Sequence, residues 1–255
     1  MTGPLELMIV RALMVVFRVA GAFTFMPLFG SAAIPVRVKA VIVLLFSIVL
    51  FPHAHVVVTQ LSVSSLAGLA LSETMLGLLM GLCFQFVLEA VQIAGQLAGF
   101  QISFSLVNIL DPQSNIETPV LANFQQMIVL LLMLQMNVHH WILRAVQKSF
   151  DRVPPGTISF SAEHLRGLFR AADAMFIAGM QLAAPLVLAT MVIDVTVGFV
   201  SKAAPQVPVM FLSIPIKTLV GFAVLALAMG VWPSFFEKQF AHALSWTWRV
   251  LELAR

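Results

Sequence analysis

Apolar residues run through this chain in long blocks, and polar positions gather in short stretches between them. Six apolar segments stand out, near Leu5–Met26, Ala40–Phe51, Leu66–Leu97, Val120–Leu143, Ala171–Val200 and Thr218–Trp232. Blocks of this kind predict helices. Turn formers fill the intervals Met26–Pro35, Pro52–Ser65, Asn108–Pro119, Asp151–Ser161 and Ala203–Pro215, each punctuated by Pro or Gly. No internal repeat, low-complexity tract or linker divides the chain, so a single domain over residues 1–255 is expected.

The last segment, residues 233–255, follows a different pattern. Phe236, Phe240, Leu244, Trp248 and Leu251 recur at spacings of four and three, with Lys238, His242, Ser245, Arg249 and Glu252 on the opposite face. That predicts an amphipathic helix suited to a membrane interface or a partner groove.

Composition names the solvent. The chain is 60% hydrophobic and only 10% charged, against roughly 45–50% and about 25% in soluble domains. That is too little charge to cover a water-facing surface. The expected class is an all-α membrane protein in which each span needs about 20 apolar residues. Ala40–Phe51 is short for a span and reads as a buried or re-entrant helix. The net charge of +3, without a Lys/Arg run, gives nucleic-acid binding no support. Lys and Arg are richer on the side that would hold Arg144, Lys148, Arg152, Arg166 and Arg170 with the tail, which faintly favours cytoplasmic termini.

Charges inside the apolar segments complicate a simple bundle. Glu6, Arg11, Arg18, Glu73, Glu89, Asp173 and Asp194 all fall there. A charge at a span centre costs about 2.5–3.5 kcal/mol on insertion scales, so these should not face lipid. Arg11, Arg18, Glu73 and Asp194 are therefore expected to be buried. Arg11 and Arg18 lie seven residues apart and share a helix face, which should meet a carboxylate or a polar partner helix.

Two stretches carry candidate function. Gln85–Gln101 places amides in an apolar helix, and Gly95 and Gly99 form a GxxxG pair that admits a neighbouring backbone. Gln92, Gly95, Gln96, Gly99 and Gln101 are candidates for a polar pore lining or a subunit contact, against a reading of ordinary helix packing. The stretch Asn108–Pro119 is either a surface loop or a mobile element at membrane depth, where irregular backbone survives only inside protein or along a cavity. Most of the 14 methionines should be packing, though a few would suit a deformable constriction. Cys83 reads as a small buried hydrophobe. No metal-ligand spacing, phosphate-binding loop or nucleophile motif is present, so no cofactor, metal or catalytic residue is expected.

Five stretches, in order, resemble the FliR family of flagellar biosynthetic membrane proteins and their injectisome counterparts. They are FRVAGAFTFMPLFGSAAIPVRVK (Phe17–Lys39), LSETMLGLLMGL (Leu71–Leu82), AGQLAGFQISFSLVNILDPQSNIETPVLANF (Ala94–Phe124), KSFDRVPPG (Lys148–Gly156) and APQVPVMFLSIPIKTLVGF (Ala204–Phe222). The last contains the family turn at Pro205 and Gln206. IPVRVK at Ile34–Lys39 leans to the flagellar branch.

The resemblance implies bent helical hairpins in place of simple spans. It implies a non-enzymatic subunit of a type III protein-export gate in the bacterial inner membrane, at the flagellar basal body. FliP and FliQ homologues and a FlhB homologue are the implied partners, with unfolded flagellar proteins as cargo. The family's pore plug falls by motif on Leu110, Asp111, Pro112, Gln113, Ser114, Asn115, Ile116, Glu117, Thr118 and Pro119. The competing readings are a small-solute transporter or channel, which would move solute alone, an intramembrane enzyme, and a pure assembly scaffold.

Overall fold

The computed structural model describes residues 4–31, 34–54, 63–103, 119–206 and 209–254. Among these the chain forms eight α-helices. They are α1 (Pro4–Phe25), α2 (Val36–Leu50), α3 (Val63–Gln101), α4 (Val120–Gln135), α5 (Val138–Arg152), α6 (Ala162–Ala203), α7 (Val209–Met229) and α8 (Trp232–Leu253), with one 3-10 turn at Phe51–His53. Five are long and apolar enough to cross a membrane, or six spans if the bent pair α4 and α5 counts as one. This is an all-α membrane protein.

The helices depart from the predicted boundaries for local reasons. α2 begins at Val36 instead of Ala40, directly after Pro35, whose carbonyl accepts from Val38 and Lys39 N–H. The long Lys39 stem reaches back to the Gly30 carbonyl at 2.9 Å, so a charge in the opening turn is tolerated. The expected Val120–Leu143 segment is broken by 68° between α4 and α5. Asn137 sits there in the left-handed region at φ 56°, which Asn adopts more readily than most residues. α7 starts at Val209, so Pro215, expected in a turn, lies inside a helix, as does Pro185 in α6.

Contacts divide the chain into two compact units. The division falls within α3, α4, α6 and α8, not at a linker. Unit 1 spans Met1–Val87, Met133–Asp173 and Phe240–Arg255, and Val19, Phe84, Phe150, Phe240 and Leu251 are buried in it. Unit 2 spans Leu88–Leu132 and Ala174–Gln239, around Val91, Ala98, Ile102, Ala122, Val129 and Leu186.

The tail helix corrects one expectation. Phe240, Ala243, Thr247, Val250 and Leu251 of α8 are buried within unit 1. Phe240 and Leu251 of the predicted stripe are therefore covered by the chain's own fold, not by a membrane interface or a partner groove. Leu244 and Trp248, expected in that stripe, are only half-buried.

Small residues bring α1 and α3 together. A Cβ on Gly77 would strike the Arg18 carbonyl, one on Gly81 the Ala22 carbonyl, and one on Gly21 the Thr74 carbonyl. This Gly77–Gly81 pair is the GxxxG contact of the fold in unit 1. Neither backbone can retreat without unpacking Val19 and Leu76, both fully buried. Gly77→Val is expected to cost at least the 1–3 kcal/mol typical of overpacking. A lowered melting temperature of the detergent-solubilised protein checks this, and an unchanged one would refute the contact.

Candidate functional site

The most polar buried region of unit 1 grows from that helix contact. Arg18 lies three residues before Gly21, and Glu73 four before Gly77. The close backbones place the Arg18 Nε–H 2.6 Å from Glu73 Oε2, with both side chains fully buried. Arg18 Nη1 donates to the carbonyls of Ser149 (3.0 Å) and Val153 (2.9 Å) and to Ser149 Oγ (3.2 Å). The Phe150 ring lies against the guanidinium, 4.5 Å from its carbon to the ring centroid.

Glu73 Oε1 accepts from the Gly156 N–H at 3.3 Å. Gly156 holds φ 96°, a conformation that glycine adopts without steric cost. The turn after Pro154 closes with the Thr157 N–H on the Pro154 carbonyl. Thus one ion pair ties together α1, α3, the end of α5 and the turn that follows. Buried charges persist only when paired and hydrogen-bonded. The carboxylate is sealed from solvent, so the arrangement holds segments and offers no reactive group to a substrate.

The other expected buried charges behave differently. Arg11 is half-buried, and its Nη2 donates to the carbonyls of Phe51 (2.7 Å) and Pro52 (3.0 Å). Those carbonyls lie just past the C-terminus of α2, where a cation is favoured. Arg11 and Arg18 thus find separate partners. Asp194 is a correction: it is exposed, on α6, and forms an ion pair with Lys217 of α7.

In unit 2 the candidate polar helix splits into three environments. Gln92 donates to Gln126 and, at 3.4 Å, to Asn123, both on α4. Gly95 lies against the Ala122 backbone of the same helix. Gln96 is exposed and Gly99 has nothing within 4 Å of where a Cβ would stand, so the second glycine of the expected pair makes no close helix contact here. Gln101 accepts from Thr190 Oγ1 of α6 at 3.3 Å. Next to it, the Ile102 carbonyl accepts from Thr218 of α7 at 3.0 Å.

Residues Leu110 to Thr118 of the expected plug lie outside the described residues. Pro119 is exposed, and its carbonyl accepts from the Asn123 N–H at the start of α4. Pro205 and Gln206 form an exposed turn after α6. Ser149, Gly156, Gln126, Thr190 and Thr218 were not singled out as site residues by sequence. The Pro-Pro-Gly run and the paired amides Gln125–Gln126 in an apolar segment were the available signals.

Comparison with known proteins bears on this arrangement. The family described as bacterial export proteins, family 1, matches residues 9–243. The flagellar biosynthetic protein FliR of Bacillus subtilis (strain 168) is 30% identical over 222 residues, 86% of each chain. The FliR proteins of Escherichia coli (strain K12) and Caulobacter vibrioides are each 26% identical. The first match covers 88% of this chain and 86% of that protein, the second 89% and 93%. The family match runs through both units and takes in the Arg18–Glu73 cluster and the amide helix. The chain belongs to the bacterial export proteins, family 1, and within it to the FliR family.

Proposed function

We propose that this chain is a non-enzymatic subunit of the flagellar type III protein-export gate in the bacterial inner membrane. In this reading it assembles at the basal body with FliP- and FliQ-type subunits and lies beside a FlhB-type protein. Together they form the path for unfolded flagellar proteins.

The observation that carries the reading, beside the family, is how little of the apolar surface this chain covers by itself. Only 11% of the span in α7 and 17% of that in α2 is buried. Polar groups are also exposed on other helices: Gln96 in α3 and Asp194, paired with Lys217, in α6. Lipid alone suits the apolar residues but not the amide or the carboxylate. Neighbouring subunits supply both kinds of cover.

The segment Leu110–Pro119 is proposed as the plug of the closed pore, on the strength of the family motif. Gln96 and Gly99 are proposed as contact or pore-lining positions, because the chain's own helices leave them open.

Co-expression with FliP- and FliQ-type proteins of the same organism, followed by mass measurement of the detergent-extracted complex, tests the proposal. One defined particle containing all three chains is expected. A folded, partner-free chain that moves a solute in liposomes would replace the export reading with a transporter.

A further inference from the structure

α5 is strongly amphipathic. It buries Val138, Ile142, Ala145, Val146, Ser149 and Phe150 and exposes Arg144, Lys148 and Arg152, spaced four apart along one side. Among the described residues neither Arg144 nor Lys148 has a carboxylate within ion-pair distance. In a chain with 14 Lys and Arg residues, most of its length apolar, three on one stripe is a concentrated positive surface.

The stripe continues onto the outer face of the C-terminal half of α8, which lies in unit 1 as α5 does. The Arg152 guanidinium lies 4.5 Å from the Trp248 ring centroid and 3.6 Å from Glu252. Arg249 stacks over Trp246 at 5.1 Å. Asp151 and Glu252 are the acidic members of this surface, outnumbered by Arg144, Lys148, Arg152 and Arg249. The face of α8 formed by Phe240, Ala243, Thr247, Val250 and Leu251 is already covered, so the outer face, with the half-buried Trp246 and Trp248, is what remains for contact.

We infer that the basic and tryptophan side chains of α5 and the C-terminal half of α8 form a docking surface for the headgroups of anionic phospholipids. Charge complementarity calls for an anion, and Arg and Lys both take phosphate well. The tryptophans select a bilayer over an acidic peptide. An indole has a large apolar face and one N–H, which suits the headgroup level of a membrane, and Trp is enriched there. A basic stripe beside indoles on a chain with several apolar spans is the arrangement that an anionic leaflet attracts. The inference goes beyond the export assignment and stands without it.

The full-length protein, in the complex in which it purifies, is placed in phosphatidylcholine vesicles. Its tryptophan emission is then quenched with brominated phosphatidylglycerol or brominated phosphatidylcholine. The ratio of the two association constants is expected to favour phosphatidylglycerol. Each basic side chain near an anionic surface shifts that ratio by roughly fivefold, so Arg144→Gln/Lys148→Gln lowers it by more than about tenfold. Arg144→Lys, which keeps the charge, leaves it nearly unchanged. A ratio near one in the unmodified protein overturns the inference. So does a preference that persists after Arg144→Gln/Lys148→Gln/Arg249→Gln. Loss of a co-purifying acidic protein from that variant, with lipid preference intact, also overturns it and assigns the surface to that protein.

Discussion

Arg18→Met is expected to destabilise unit 1 by about 3–5 kcal/mol, the cost of leaving one member of a buried ion pair alone. Glu73 would keep only the Gly156 N–H as a partner. Its carboxylate would then be a fully buried charge without a counter-ion. Glu73→Gln should cost less. It removes the charge but keeps an acceptor for Arg18, which retains the Ser149 and Val153 carbonyls. The double change Arg18→Met/Glu73→Leu should recover much of the loss, because apolar replacement of a buried pair is often close to neutral. A denaturation series that adds the single change Glu73→Leu to Arg18→Met and Arg18→Met/Glu73→Leu forms a double-mutant cycle. Additive losses would mean that the pair does not act as a unit.

Deleting Gln113–Thr118 is expected to convert a closed assembly into one that leaks small ions. The proposed plug would be gone while the helices on either side remain. In planar bilayers the assembled complex should pass from no measurable conductance to a steady one. The same particle mass before and after would show that assembly survived. Conductance that stays at background, with assembly intact, would end the plug assignment and leave a scaffold role for that stretch.

Much of the helical architecture could be read from the chain, because apolar blocks bounded by Pro and Gly leave few alternatives. One internal proline was harder. Pro215 reads as part of a turn by the rule for soluble helices but lies within α7, while Pro185, inside the predicted segment Ala171–Val200, lies within α6 as expected. In membrane proteins neighbouring helices and Ser or Thr side chains re-satisfy the freed carbonyls. The bend at Asn137 was hidden because the apolar pattern continues across it, and only the left-handed tolerance of Asn marked the place.

Burial of charge was legible in part. Hydropathy says that Arg18 needs a partner but not which one, since Glu73 is 55 residues away. For Asp194 the same argument predicted burial, yet Lys217 on α7 allows an exposed ion pair. Periodicity likewise revealed the two faces of the tail helix but not what covers each one.

The wide sequence separation within the Arg18 cluster has a consequence for biosynthesis. Glu73 is made 55 residues after Arg18, and Val153 135 residues after it. At about 5–20 residues per second, α1 waits roughly 3–11 s for its carboxylate and roughly 7–27 s for the last carbonyl. During that interval an unpaired guanidinium sits in a nascent apolar segment. The first helix therefore gains the counter-ion for its buried charge only once the third has been made.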